Sequence, residues 1–252
     1  MLPDAYVTNR AYRVLYVLPA GVGGVGRPSK ELAVLREMNA HNEFQLIIVS
    51  PTFEKMPWFG DHPTDMKTRQ AAYIKEWVVP FVENRYSTMR RAEGRLLLGF
   101  SKSGWGAFSL ILRDPDFFGY AAAWDAPMML PDFHYGMDKV FGTLDHLAGY
   151  RPDLLAPKQK RAFQTRTRLV LAGENLWGNL IPSPAGGTHT TDFHRLLERE
   201  QIKHVYLGNL KTQHAWRKEW MAPTLAALCQ LFNEVENEKA SSPASPSSAV
   251  SQ

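Results

Sequence analysis

The sequence predicts an α/β domain, a mostly parallel, doubly wound sheet with helices on both faces. Three observations lead there. Short apolar runs recur along the chain, helix-period segments separate them, and turn formers punctuate the joins. Strands that alternate with helices need crossovers, and crossovers lay helices on both faces of a parallel sheet.

The elements follow in order. Tyr12–Leu18 (YRVLYVL) reads as a buried first strand. Ser29 can accept from free N–H groups and cap a helix running to about Ala40, with Leu32, Leu35 and Met38 on one face. Gln45–Ser50 is a second strand, stopped by Pro51. A helix is expected from Asp65 to Arg85, with Ile74, Trp77, Val78, Phe81 and Val82 inward and Pro80 kinking it or marking a boundary. Arg95–Phe100 is the third strand, and Ser103–Arg113 is a helix burying Phe108, Ile111 and Leu112. Gly119–Trp124, Arg168–Ala172 and His204–Leu207 complete the strands, and helices near Thr191–Glu200 and Ala215–Phe232 follow the last two. Residues 126–167 hold Pro127, Pro131, Pro152 and Pro157 and break the rhythm, which suits an insertion over the sheet edge, a lid or pocket wall. The domain is expected to span 1–233. Residues 234–252 are rich in Ser, Pro and Ala and are expected to form a disordered tail.

Composition narrows the function. At 252 residues and 44% hydrophobic, the chain can bury a core without a disulfide or metal. Its single cysteine, Cys229, excludes an intrachain disulfide and a multi-cysteine zinc site. The net charge of +4 is dispersed, which argues against nucleic acid as a partner. No apolar run is long enough to span a membrane, and the first ten residues lack the basic start and apolar core of a signal peptide, so the sequence as given reads as cytoplasmic.

Two glycine motifs stand out. Gly21-Val22-Gly23-Gly24-Val25-Gly26 follows the first strand and matches G-x-G-x-x-G. A dinucleotide site also needs a helix starting at the third glycine and an acid ending the second strand. Here Arg27-Pro28 intervene and the strand ends Ser50-Pro51. A backbone-rich loop beside an active site suits it better. Gly99-Phe100-Ser101-Lys102-Ser103-Gly104 lies between an apolar strand and a helix, the setting of a nucleophile elbow. Small residues let strand and helix approach, and a serine there meets free N–H groups and the positive end of a helix. Ser103 stands where G-x-S-x-G has its last glycine.

A serine hydroxyl needs a base. Of eight histidines, His214 sits just after the last strand and is the candidate. The acid that would hold its tautomer is Glu174, after the fifth strand, with Asp125, ending the fourth, as the alternative. The oxyanion donors would be the N–H of Lys102 and that of Gly21, with Val22 next. His189, His194 and Asp192 open an amphipathic helix and read as helix polars, not as metal ligands. Trp58, Asp61, His62, Trp105, Trp124, Asp125 and Trp177 lie at strand ends or the elbow and form a candidate substrate wall.

From about Leu2 to Trp220 the chain resembles the esterase D-like ("putative esterase") family of α/β-hydrolases, which includes feruloyl esterases, enterochelin esterases and S-formylglutathione hydrolases. The likeness rests on RVLYVL (13–18) before a glycine loop, on SPTF (50–53) with Trp58, Asp61 and His62, and on VPFV (79–82). It continues through GFSKSGWGAFSLILRDPDFFGYAAAWDAP (99–127) and His214-Ala215-Trp216. It implies an α/β-hydrolase fold, no cofactor and no metal, a small-molecule ester as substrate, Ser101 as nucleophile and His214 as base. Three features depart from the pattern. Pro19-Ala20 replaces a frequent His-Gly pair, Leu176 stands where the acid often falls, and Leu2–Tyr6 resembles the middle of the family's early strand. The first hairpin is therefore expected to be absent from this sequence, and any export signal ahead of it would lie outside it. An acyltransferase on the same residues, or a non-catalytic binding protein on the same fold, are the rival readings; oligomeric state is left open.

Overall fold

The computed structural model describes residues 1–22, 29–173 and 181–241. Six strands form one parallel sheet in the order β2-β1-β3-β4-β5-β6. They are β1 (Arg13–Val17), β2 (Leu46–Val49), β3 (Arg95–Phe100), β4 (Tyr120–Trp124), β5 (Leu169–Ala172) and β6 (His204–Leu207). The expected α/β-hydrolase architecture is present: each strand is parallel to its neighbours, and helices cover both faces.

The helices are α1 (Lys30–Glu37), α2 (Ala40–Glu43), α3 (Gln70–Ala72), α4 (Val79–Arg85), α5 (Lys102–Arg113), α6 (Asp138–Phe141), α7 (Leu144–Ala148), α8 (Pro152–Gln159), α9 (Arg161–Gln164), α10 (His189–Arg199) and α11 (Lys218–Ser241). Ser29 caps α1 as expected, its Oγ accepting from the Leu32 N–H at 3.3 Å.

Strand alternation divides the core. Val14, Tyr16, Leu97, Ala121, Ala123, Leu169 and Leu171 point to one face, where α4, α5, α8 and α10 lie. Leu15, Val17, Leu96, Leu98, Ala122 and Val170 point to the other, under α1 and α11. The strands read as unbroken apolar runs because both faces are covered. A smaller cluster of Trp58, Trp105, Leu130, Met137, Val140 and Phe141 seats part of the 126–167 insertion on the sheet edge.

Two expectations need correction. The helix expected over 65–85 begins at Gln70, and Tyr73–Val78 forms a π-helical segment between α3 and α4. The Val79 N–H bonds the Ile74 carbonyl, five residues back. Pro80 has no N–H to give and its ring would crowd the carbonyl four residues earlier, so one wider turn accommodates it. That turn shifts the buried face by a residue. Ile74, Val78, Val79 and Val82 are inside, whereas Trp77 is 71% and Phe81 62% exposed. The last helix also runs past Phe232 to Ser241, through Glu, Lys and Ala, which have good helix propensity. No described helix is long and apolar enough to cross a membrane.

The shifted face can be checked by urea unfolding. Trp77→Ser and Phe81→Ser are expected to change stability by no more than about 0.5 kcal/mol. Ile74→Ala is expected to cost about 2–4 kcal/mol. Losses of the Ile74 size at all three positions would restore the uninterrupted helical register.

Candidate active site

The sheet order reverses between β1 and β3, because the chain moves one way from β1 to β2 and the other from β3 onward. Loops leaving such a point diverge and open a crevice at the C-terminal strand ends. Gly21 follows β1 there and Ser101 follows β3.

Ser101 links β3 directly to α5 with φ 55° and ψ −129°, a conformation a non-glycine residue rarely adopts. The local sequence explains how it is held. A Cβ on Gly99 would stand 2.1 Å from the Ser103 carbonyl oxygen, so strand and helix approach this closely only at glycine. Ser103, in the usual glycine position, turns its hydroxyl back onto the strand. Its Oγ accepts from the Phe100 N–H at 2.9 Å and donates to the Phe100 carbonyl at 2.8 Å. Ser103 keeps a right-handed helical place in the first turn of α5, so the missing glycine costs no positive φ. Ser101 itself is 2% exposed, and the Lys102 N–H lies at the start of α5, where N–H groups have no intrahelical acceptor.

β3 and β4 end in step. Phe100 pairs with Trp124, so the next residues, Ser101 and Asp125, leave the sheet side by side. Asp125 also has positive φ, 43°, and is completely buried. Its Oδ2 lies 2.6 Å from His214 Nδ1. A carboxylate can only accept, so Nδ1 carries the proton in this contact and Nε2 is left as the basic nitrogen. The alternative acid, Asp125, thus contacts His214. Strand order alone pointed to Glu174; that residue and Trp177 lie outside the described residues.

Aromatic packing holds the histidine loop. The Ala215 carbonyl accepts from the indole N–H of Trp220 at 2.9 Å and of Trp124 at 3.4 Å. The Phe100 ring lies 4.6 Å from the imidazole and 5.4 Å from Trp216. Nothing in the sequence marks the Phe100 ring or the Ala215 carbonyl as a support for the histidine, because an aromatic ring and a carbonyl carry no motif of their own.

The proposed wall residues fare differently. Trp58, Trp105 and Trp124 are fully buried and serve as core. Asp61 caps a helix, its Oδ1 accepting from the N–H groups of Ala71 and Ala72 at 2.9 and 3.1 Å. His62 closes a turn, Nδ1 accepting from the Asp65 N–H at 2.8 Å. Each therefore commits one side-chain acceptor to backbone N–H groups. His189 is buried too: Nδ1 accepts from the Met129 N–H at 3.1 Å and Nε2 meets the Ile181 carbonyl at 2.9 Å. Burial lowers its pKa and keeps it neutral, as that bonding requires. Asp192 bonds the Gly187 N–H and Arg195, and His194 contacts His204, so the three residues do not converge. Among the described residues no group of three potential ligands could hold a metal ion.

The family model described as "Putative esterase" matches residues 1–218. The chain belongs to this esterase family. Two curated members from Mycobacterium tuberculosis strains, Esterase MT1326 and Esterase Rv1288, are each 26% identical over 137 residues, 52% of this chain. The match spans only 29% of their length. Among solved structures, a ferulic acid esterase superposes with a TM-score of 0.68 at 17% identity, covering 92% of this chain and 90% of its own. An S-formylglutathione hydrolase from Agrobacterium tumefaciens gives 0.63 at 14%, covering 91% and 84%. FphF, a fluorophosphonate-binding serine hydrolase of Staphylococcus aureus, gives 0.62 at 17%, covering 96% and 91%. At these identities the structures establish a shared fold.

In this esterase-family chain the elbow depends on Ser103. Ser103→Ala leaves the buried Phe100 N–H and carbonyl without that partner and is expected to cost about 1–3 kcal/mol in thermal or urea unfolding. Gly99→Ala, which drives a Cβ into backbone, is expected to cost at least as much, about 2–4 kcal/mol. A near-neutral result for both would refute the close strand–helix approach.

Proposed function

We propose that the chain is a serine-dependent carboxylic-ester hydrolase working through an acyl-enzyme. The observation that carries this reading is the 2.6 Å contact between buried Asp125 and His214, made beside the strained Ser101 turn on the adjoining strand. A buried carboxylate that fixes an imidazole tautomer next to a serine at a helix start has the chemistry of a charge-stabilised base and its nucleophile. Membership of an esterase family agrees with it.

In the proposed reaction His214 Nε2 takes the Ser101 hydroxyl proton as Oγ attacks the ester carbonyl carbon. The carbonyl π bond opens onto oxygen, and the N–H groups of Lys102 and Gly21 donate to the resulting oxyanion. Asp125 stabilises the imidazolium without accepting its proton. As the oxyanion collapses, the carbon–alkoxy bond breaks and Nε2 returns the proton to the leaving alcohol. Water then repeats the sequence on the acyl-serine, releasing the carboxylic acid and restoring the hydroxyl. No cofactor enters any step.

A fluorophosphonate probe is expected to label the wild type at Ser101, and Ser101→Ala to abolish labelling. His214→Ala should abolish turnover of short p-nitrophenyl esters. Asp125→Asn is expected to lower kcat by about 10²–10⁴-fold, whereas Glu174→Gln retains most of the activity. The reverse order for the two acids would move that role to Glu174. Undiminished labelling of the Ser101→Ala protein would defeat the reading as a whole.

A further inference from the structure

Lys102 contributes more than a backbone N–H. Its side chain leaves the first turn of α5, one residue from Ser101, and ends against the insertion. Nζ lies 3.1 Å from Met56 Sδ and 5.9 Å from the ring centres of both Trp58 and Tyr135. Trp58 is buried and donates its indole N–H to the Tyr135 carbonyl at 3.1 Å, which ties the insertion here. Tyr135 and Met56 are both exposed, so the ammonium stands over an aromatic floor at a rim open to solvent.

That ammonium is poorly compensated. It has three N–H donors, and a thioether is a weak acceptor. Ring faces at this distance add modest attraction. Among the described residues no carboxylate pairs with Lys102, and burial alone lowers its pKa from the ordinary lysine range. A half-desolvated cation gains most from a partner that brings full negative charge and short hydrogen bonds, which a carboxylate does. Asp125, the buried carboxylate nearby in the site, already pairs with His214.

We propose that the Lys102 side chain is a specificity subsite that selects esters bearing a carboxylate in their acyl or alcohol part. The proposal rests on the serine-esterase reading and names its substrate class. The anion docks between the rims formed by Met56 and Tyr135, accepts from Nζ, and orients the scissile carbonyl toward Ser101.

Matched esters differing by one charge test it. Methyl valerate against monomethyl glutarate probes the acyl side, and phenyl acetate against 4-carboxyphenyl acetate the alcohol side. For each pair kcat/KM is divided by the hydroxide-catalysed rate, at low and high salt, in wild type, Lys102→Met and Lys102→Arg. The wild type is expected to favour the anionic member of at least one pair by about tenfold or more. Lys102→Met should erase that ratio, Lys102→Arg should keep most of it, and high salt should weaken it. A ratio equal in wild type and Lys102→Met overturns the subsite while leaving the esterase reading intact, even if both members slow together. Absence of any turnover and of fluorophosphonate labelling in the wild type brings down the esterase reading and the subsite with it.

Discussion

Asp125 carries a carboxylate into a place without solvent, and that constraint organises the edge of the sheet around it. An ionised group so placed is tolerated only with a close partner of the right polarity. His214 supplies it through Nδ1. The partner must then stay put, and the surrounding contacts keep it there: two indole N–H groups converge on the carbonyl that follows it, and the Phe100 ring lies against the imidazole. Burial of the Asp125 carboxylate, the tautomer of His214 and the packing around its loop are one linked arrangement.

Backbone strain is present in the same place. Ser101 and Asp125 both have positive φ without being glycine, and each such residue costs on the order of 1–3 kcal/mol. Each is held by the strand before it, and those strands are neighbours paired through Phe100 and Trp124. The hydroxyl of Ser103 and the absence of a side chain at Gly99 stabilise the tight turn at Ser101. Two strained backbones on adjoining strands, each fixed by the core beneath, leave the sheet side by side.

The insertion is joined to this frame by buried polar contacts as well as by aromatic packing. The His146 ring meets the Asp61 carbonyl at 2.7 Å, the Asp61 N–H donates to Tyr150 Oη, and neutral His189 bridges Met129 and Ile181. Polar residues that look like ligand handles along a sequence are thereby committed to backbone groups that would otherwise be buried without partners. The approach of the Lys102 ammonium to Met56 and Tyr135 is a product of that docking.

The α/β class, the succession of strands along the chain, the elbow around Ser101 and the family are all legible in the sequence. Each is written locally, in apolar runs, capping residues such as Ser29 and the small residues packed into 99–106. The Asp125–His214 contact is a product of the fold, because it depends on β3 and β4 ending in register. Only the tertiary structure showed Trp77 and Phe81 facing solvent, since a proline-driven wide turn displaces a helical face without changing its composition. And only it showed Asp61 Oδ1 and His62 Nδ1 bonded to backbone N–H groups and Trp58, Trp105 and Trp124 buried, because a polar atom's partner is chosen by what the fold brings near it, across spans that no local pattern records.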